Sequence, residues 1–326
     1  MGKFLKIAFF LLIGILLIWW SLHQIPPQEW AKFTTALKTT NYWILIPVSI
    51  ILAFSHLLRA LRWRLIMEPL GYKPSLTNAF LAVLIGYLAN LAVPRLGEVL
   101  KCSIIAKYEK VPADKIVGTI VAERAFDVLS LCIVFLLALV LQFNVVEGGW
   151  KQLVSLKSQN SSADSNQYIL YILIGIAAIM LIGFFIFRSK LQKTFASIKN
   201  ILKGIWEGVM SATKLKKHNL FFLYSFGIWF LYLLATYIGL MATEGTASSF
   251  ATAISCLAYA SVGMIITPGG IGAYAYLMAK VLSLNGIEYT LGLANGTIQW
   301  FAQFLIIIVL GGLSLIILPI INKQVK

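Results

Sequence analysis

The apolar runs of this chain are about as long as a bilayer is thick, and they recur from one end to the other. Stretches near 4–22, 42–58, 118–142, 168–188, 219–241 and 295–320 carry almost no charge. A helix needs ~20 such residues to cross the hydrocarbon core, and a spanning segment must satisfy its own backbone hydrogen bonds there. Charged residues make up 12% of the chain, against roughly 25% in a soluble domain. The sequence therefore reads as an all-α polytopic membrane protein, a single integral membrane domain over 1–326.

A net charge of +15 invites a nucleic-acid reading, but the basic residues cluster just beyond the apolar runs. That is where anionic headgroups and the positive-inside rule place them. No zinc-finger spacing or RNA-binding motif accompanies them, so no nucleic-acid partner is expected. Cys102, Cys132 and Cys256 lie far apart in apolar contexts and read as small buried hydrophobes; no metal and no cofactor are expected. The first run ends in Trp19 and Trp20 and continues as HQIPPQEW. With no small-x-small cleavage site, it reads as a retained first span.

Two further apolar stretches, 76–93 and 248–266, run into Pro/Gly breaks: NLAVPRLGE (90–98) and ITPGGIGA (266–273). Charge placement orients them. If the N-terminus is cytoplasmic and the chain turns back at Pro94, only Lys32, Lys38, Lys151 and Lys157 of the 27 lysines and arginines face outside. Arg95, Arg124 and Lys280 then lie within the membrane. The same bookkeeping brings the second broken stretch in from the opposite side. The expected architecture is about six full spans plus two oppositely oriented re-entrant helical hairpins, with both termini cytoplasmic. Paired broken segments in the two halves point to an inverted repeat, although direct similarity between the halves is slight. Residues 189–217 alternate apolar and basic positions as a basic amphipathic cytoplasmic segment, suited either to an anionic leaflet or to packing on the protein.

Charge at membrane depth costs ~2.5–3.5 kcal/mol per residue on insertion scales, so it persists where it is paired or faces a cavity. Arg95, Glu98 and Lys101 are spaced by three, which predicts one face of a short helix after Pro94. Glu123, Arg124 and Asp127 follow in AERAFD. These charges either staple the hairpin to its neighbour, or Arg95 and Arg124 offer guanidinium forks to a phosphate while the carboxylates hold them or exchange protons. Pro94 frees backbone groups that Asn90 can satisfy, and Gly97 stands beside them. At the second break, Thr267, Pro268, Gly269, Gly270 and Gly272 permit positive φ and close approach. A helix starting near Gly272 would aim its N–H groups at an anionic headgroup; the alternative is plain helix packing through glycines. In HLLRALRWR, the residues Arg59, Arg62 and Trp63 are expected at the cytoplasmic boundary as interfacial lipid contacts.

Together NLAVPRLGE, AERAFD and TPGGIG, in that order, resemble the transmembrane region of the lysylphosphatidylglycerol synthase/flippase family, over nearly the whole chain. The resemblance implies a multi-pass protein of the cytoplasmic (inner) membrane with lipid translocation as its activity. The sequence stops at Lys326, shortly after its last span, so no aminoacyltransferase domain and no synthase activity are expected. The family's pattern places a glutamate shortly after the TPGG-x-G turn, where this chain has Ala273, Tyr274, Ala275 and Tyr276; the departure implies either another lipid or a different use of Tyr274 and Tyr276, and Tyr274 is counted with the site. The expected function is a lipid flippase moving a phospholipid or a polyprenyl-phosphate-linked lipid, its phosphate held between the hairpins. The alternatives are a non-transporting lipid-binding partner of a separate lipid-modifying synthase, or an intramembrane headgroup enzyme using Glu98, Glu123 or Asp127. The expected partners are membrane lipids with anionic headgroups, such a synthase, and further copies of the chain as a homo-oligomer.

Overall fold

Long apolar stretches without strand-like alternation favour helix, since only helix pairs every backbone group within its own segment. The computed structural model of the chain, which describes residues 2–93, 95–143 and 215–323, is helical throughout. In order come α1 (Gly2–His23), α2 (Trp30–Thr39), α3 (Leu45–Met67), α4 (Leu76–Ala92), α5 (Leu96–Glu109) and α6 (Ala113–Leu141). Then follow α7 (His218–Leu240), α8 (Phe250–Ile266), α9 (Ala273–Leu284) and α10 (Tyr289–Ile321). Among the described residues, four segments are long and apolar enough to cross a membrane: Tyr42–Leu70, Lys115–Leu141, His218–Leu240 and Tyr289–Ile321. The expected span at 168–188, most of the basic segment at 189–217, and Pro94 lie outside the described residues.

The second span is longer than its apolar run suggests. It continues as helix through Arg59, Arg62 and Arg64 to Met67, because the first two arginines find carboxylates inside the protein instead of ending the span at water. Between the first two spans, α2 lays Phe33 and Ala36 in a cluster with Leu293 and Ala294 of α10. Ion pairing of Lys32 with Glu288, and donation from Thr290 to Glu29, fasten it there.

The stretch α3–α6 and the stretch α7–α10 follow one plan. α3 and α7 have 23 residues each, and α4 and α8 have 17 each. Ser75 caps α4 by accepting from the Asn78 N–H, and Ser249 caps α8 by accepting from the Thr252 N–H. Both helices end on an extended residue, Val93 or Thr267, whose N–H donates to the carbonyl four residues back. Two positions later each chain enters the left-handed region, at Arg95 (φ 67°) and Gly269 (φ 61°). A short helix then packs back along the first, and a long helix follows.

Packing between the stretches obeys the same plan. α3 and α7 run antiparallel: Leu65 near the end of α3 clusters with Phe221 at the start of α7, and Leu52 clusters with Ala235. Across this pair, Leu52 meets Ala235 much as Arg62 meets Ser225. α4 packs on α10, where Gly311 lets the helix close on Leu84 and Leu88, and in like fashion α8 packs on α6 through Ala138, Ile254 and Ala258. At the open end of the first hairpin, Asn78 bonds both Glu109 at the end of α5 and Asn322 just beyond α10. At the second, Thr252 bonds both Asn285, just beyond α9, and Gln142, just beyond α6.

Candidate functional site

The charges of the first stretch converge inside the fold. α3 contributes Arg59 and Arg62, α5 contributes Glu98 and Lys101, and α6 contributes Glu123, Arg124 and Asp127. Glu123 has no exposure at all. Its Oε2 accepts from Lys101 Nζ at 2.8 Å, and its Oε1 accepts from Arg59 at 3.2 Å. Asp127, one turn on, accepts from Arg59 at 2.5 Å and from Arg62 at 2.7 Å. The i,i+4 spacing of Glu123 and Asp127 puts both carboxylates against the two arginines, themselves close on one face of α3. Lys101 Nζ also lies 4.3 Å over the Trp63 ring, a cation–π contact that strengthens when desolvated. Outer bonds from Arg59 to the Tyr232 hydroxyl and from Arg62 to Ser225 tie the cluster to α7.

The expected interfacial positions of Arg59, Arg62 and Trp63 are thereby corrected. Arg62 and Trp63 are wholly inaccessible and Arg59 is 5% exposed, because Glu123 and Asp127 supply the anionic partners that lipid headgroups would otherwise provide. The pairings of Lys101 with Glu123, and of Arg124 with Glu98 at 3.7 Å, bring together residues that the sequence places on facing helices. Arg95 does not join them. It caps α5 in a left-handed conformation and is exposed, so the helical spacing of three that would align it with Glu98 does not reach it. Asn90 accepts from the Gly97 N–H at 2.7 Å, which ties the turn shut. Gly97 is required by closeness: a Cβ there would lie 2.0 Å from the Gly86 carbonyl oxygen.

Beside the cluster is a cavity of about 210 Å³ lined by residues of both stretches. One wall is Val48, Leu52, His56 and Arg59 of α3, Tyr87 of α4 and Arg124 of α6. The rest of the lining comes from Tyr232 and Thr236 of α7, Ser261 and Met264 of α8, Tyr274 of α9, and Gln299 and Gln303 of α10. His56, whose ring lies tilted against Tyr87 at 4.8 Å, has a buried Nδ1 with no partner among the described residues, and so does Arg59 at Nε. Arg124 differs from its neighbours. Its ion pairs are long, 3.7 Å to Glu98 and 3.8 Å to Asp127, and its side chain is 42% exposed. Of the guanidinium groups on the cavity wall, this one keeps most of its hydrogen-bonding capacity for a ligand.

The second break serves mainly to pack. Thr267 and Pro268 are buried, and the Gly269 carbonyl accepts from the Trp300 indole at 2.7 Å. A Cβ on Gly269 would press on Leu91, and one on Gly270 on Met264. Gly272, at φ 73°, lies under Gly14 and Ile18 of α1, so α1 covers the start of α9. Of this group only Tyr274 lines the cavity. Sequence reasoning missed Tyr87, Tyr232, Gln299 and Gln303, since an isolated neutral polar residue in a span carries little signal. The steps of four from Asn295 to Gln299 to Gln303 were the available one, a polar stripe along an otherwise apolar helix.

Comparison with known proteins covers nearly the whole of this architecture. The family model described as the lysylphosphatidylglycerol synthase TM region matches residues 5–311. A UPF0104 membrane protein of Pyrococcus horikoshii is 22% identical, with 96% of each chain aligned. Two UPF0104 membrane proteins of Methanocaldococcus jannaschii are also similar. One is 25% identical over 63% of this chain and 82% of its own length. The other is 29% identical over 36% of this chain and 35% of its own. No solved structure matches.

Proposed function

The chain belongs to the lysylphosphatidylglycerol synthase transmembrane-region family, and from the cavity between its two stretches we propose that it translocates a phosphate-bearing lipid between membrane leaflets. The observation that carries this reading is Arg124, an arginine with a partly exposed side chain and slack ion pairs, lining a cavity walled by both stretches. Arg59 stands beside it, held in place by Glu123 and Asp127. A guanidinium matches a phosphate with two parallel N–H donors, and the carboxylates fix the fork in advance. Glu123 and Asp127 hold the cations and perform no chemistry in this reading, which makes the protein a carrier and not an enzyme.

The shared plan of α3–α6 and α7–α10, with α3 antiparallel to α7, supports an inverted repeat whose axis lies in the membrane plane. In that arrangement the hairpin α4–α5 enters from the cytoplasmic side and α8–α9 from the outer side, with both termini cytoplasmic. The cavity then lies near mid-membrane, where rocking of one stretch against the other exposes it to each side in turn. A polytopic protein of the cell's cytoplasmic membrane with anionic lipids as its partners follows from the same reading. Purified protein in vesicles is expected to speed leaflet exchange of a headgroup-labelled anionic lipid. Arg124→Ala is expected to lose about tenfold or more of that rate, as for a charge-assisted bond to a phosphate, without lowering the melting temperature. An undiminished rate in the variant overturns the phosphate role, and a wild-type protein that exchanges no lipid leaves a binding partner of a separate synthase as the better reading.

A further inference from the structure

The charged residues that line the cavity all come from one of the two stretches. Arg59 and Arg124 stand on the α3–α6 side, whereas Ser261, Tyr274, Gln299 and Gln303 supply the polar groups of the other. No carboxylate lines it among the described residues. Glu123 is sealed behind the arginines, Asp127 is bonded to both of them, and Glu98 stands by Arg124. The connected cluster holds four cations (Arg59, Arg62, Lys101, Arg124) against three carboxylates (Glu98, Glu123, Asp127). One positive charge is therefore unbalanced, and Arg124 brings it to the cavity.

We infer that the cavity selects a lipid whose headgroup carries one phosphodiester charge and is otherwise an uncharged, hydroxyl-bearing group, and that it excludes headgroups bearing an amine. The inference rests on the transport reading above and names its substrate class. One phosphodiester anion balances the spare charge of the cluster. An ammonium group brought into the same space would sit near two guanidiniums with no carboxylate on the wall, a like-charge arrangement that costs several kcal/mol. The neutral wall suits hydroxyls. Gln303 donates to the Tyr274 hydroxyl at 2.8 Å, which leaves its carbonyl oxygen to accept from a headgroup O–H. Glycerol headgroups of phospholipids and sugars on a polyprenyl phosphodiester share this chemistry. The lysylated headgroup in the family's own description does not.

The experiment uses the full-length protein in vesicles carrying phosphatidylglycerol, a polyprenyl phosphosugar, phosphatidylethanolamine or lysylphosphatidylglycerol. Outer-leaflet exposure is read with periodate for the hydroxyl headgroups and with an amine-reactive reagent for the others. At least one hydroxyl lipid is expected to exchange about tenfold or more faster than both amine lipids, and which one separates the phospholipid from the polyprenyl source. Amine lipids moving as fast or faster overturn the selectivity and leave transport standing; exchange of none overturns transport itself. Gln303→Glu, which adds a carboxylate to the neutral wall, is expected to shift the ratio toward the amine lipids. An unchanged ratio in a variant of normal melting temperature overturns the assignment of that wall to the headgroup.

Discussion

Glu123 is bound on both oxygens by cations from two other helices, Lys101 from α5 and Arg59 from α3. A buried pair adds little net stability, but removing one member strands the other at a cost of about 3–5 kcal/mol. Glu123→Gln is therefore expected to lower the melting temperature in detergent sharply, and adding Lys101→Met is expected to recover part of the loss, since that pair is coupled. Equal melting of wild type and Glu123→Gln would show that the cluster does not hold these helices together. Five of the seven members of this cluster were legible in the sequence. Spacing by three put Glu98 and Lys101 on one face, and AERAFD offered them partners. Arg59 and Arg62 were not legible as its members, because their partners lie a loop and two helices away. Next to Arg64 and near the end of an apolar run they have the composition of a membrane edge. Arg95 erred the other way, since a helical repeat was applied to a residue that caps the helix from a left-handed turn.

At the scale of elements, the two hairpins were legible because Pro and Gly interrupt spans that would otherwise continue, and such breaks carry strong local signals. Their matching lengths were not, since helix ends are set by the caps Ser75 and Ser249 and by contacts between helices. The recognition of Arg59, Arg62 and Lys101 as interior charges removes three residues from the cytoplasmic side of the charge count and adds none to the outer side, so the orientation drawn from that count stands on fewer residues but points the same way. The proposed opposite entry of the hairpins makes a direct prediction. In a chain with Cys102, Cys132 and Cys256 replaced by alanine, single cysteines at Lys110 and Leu284 mark the far ends of α5 and α9. A membrane-impermeant thiol reagent applied outside cells is expected to label the cysteine at 284 and not the one at 110. Labelling of both, or of 110 alone, would exclude opposed hairpins.

For the molecule as a whole, the decisive feature is that neither stretch makes the cavity alone: α3 and α6 bring the cations, α4 brings Tyr87, and α7 to α10 bring neutral polar groups. Composition showed a membrane protein and the broken spans marked two regions of interest, yet the cavity joins side chains more than two hundred residues apart, a relation that no local pattern contains. In the proposed transport cycle a headgroup passes through this cavity. Ser261 lines it on α8 and is only partly buried, so Ser261→Trp places an indole in a space of about 210 Å³ while leaving every member of the charged cluster in place. The most direct test is leaflet exchange of phosphatidylglycerol in vesicles, wild type against Ser261→Trp, with melting temperatures measured alongside. Wild type is expected to exchange the lipid and a folded Ser261→Trp to fall to the rate of protein-free vesicles; exchange at the wild-type rate through the filled cavity would contradict the account.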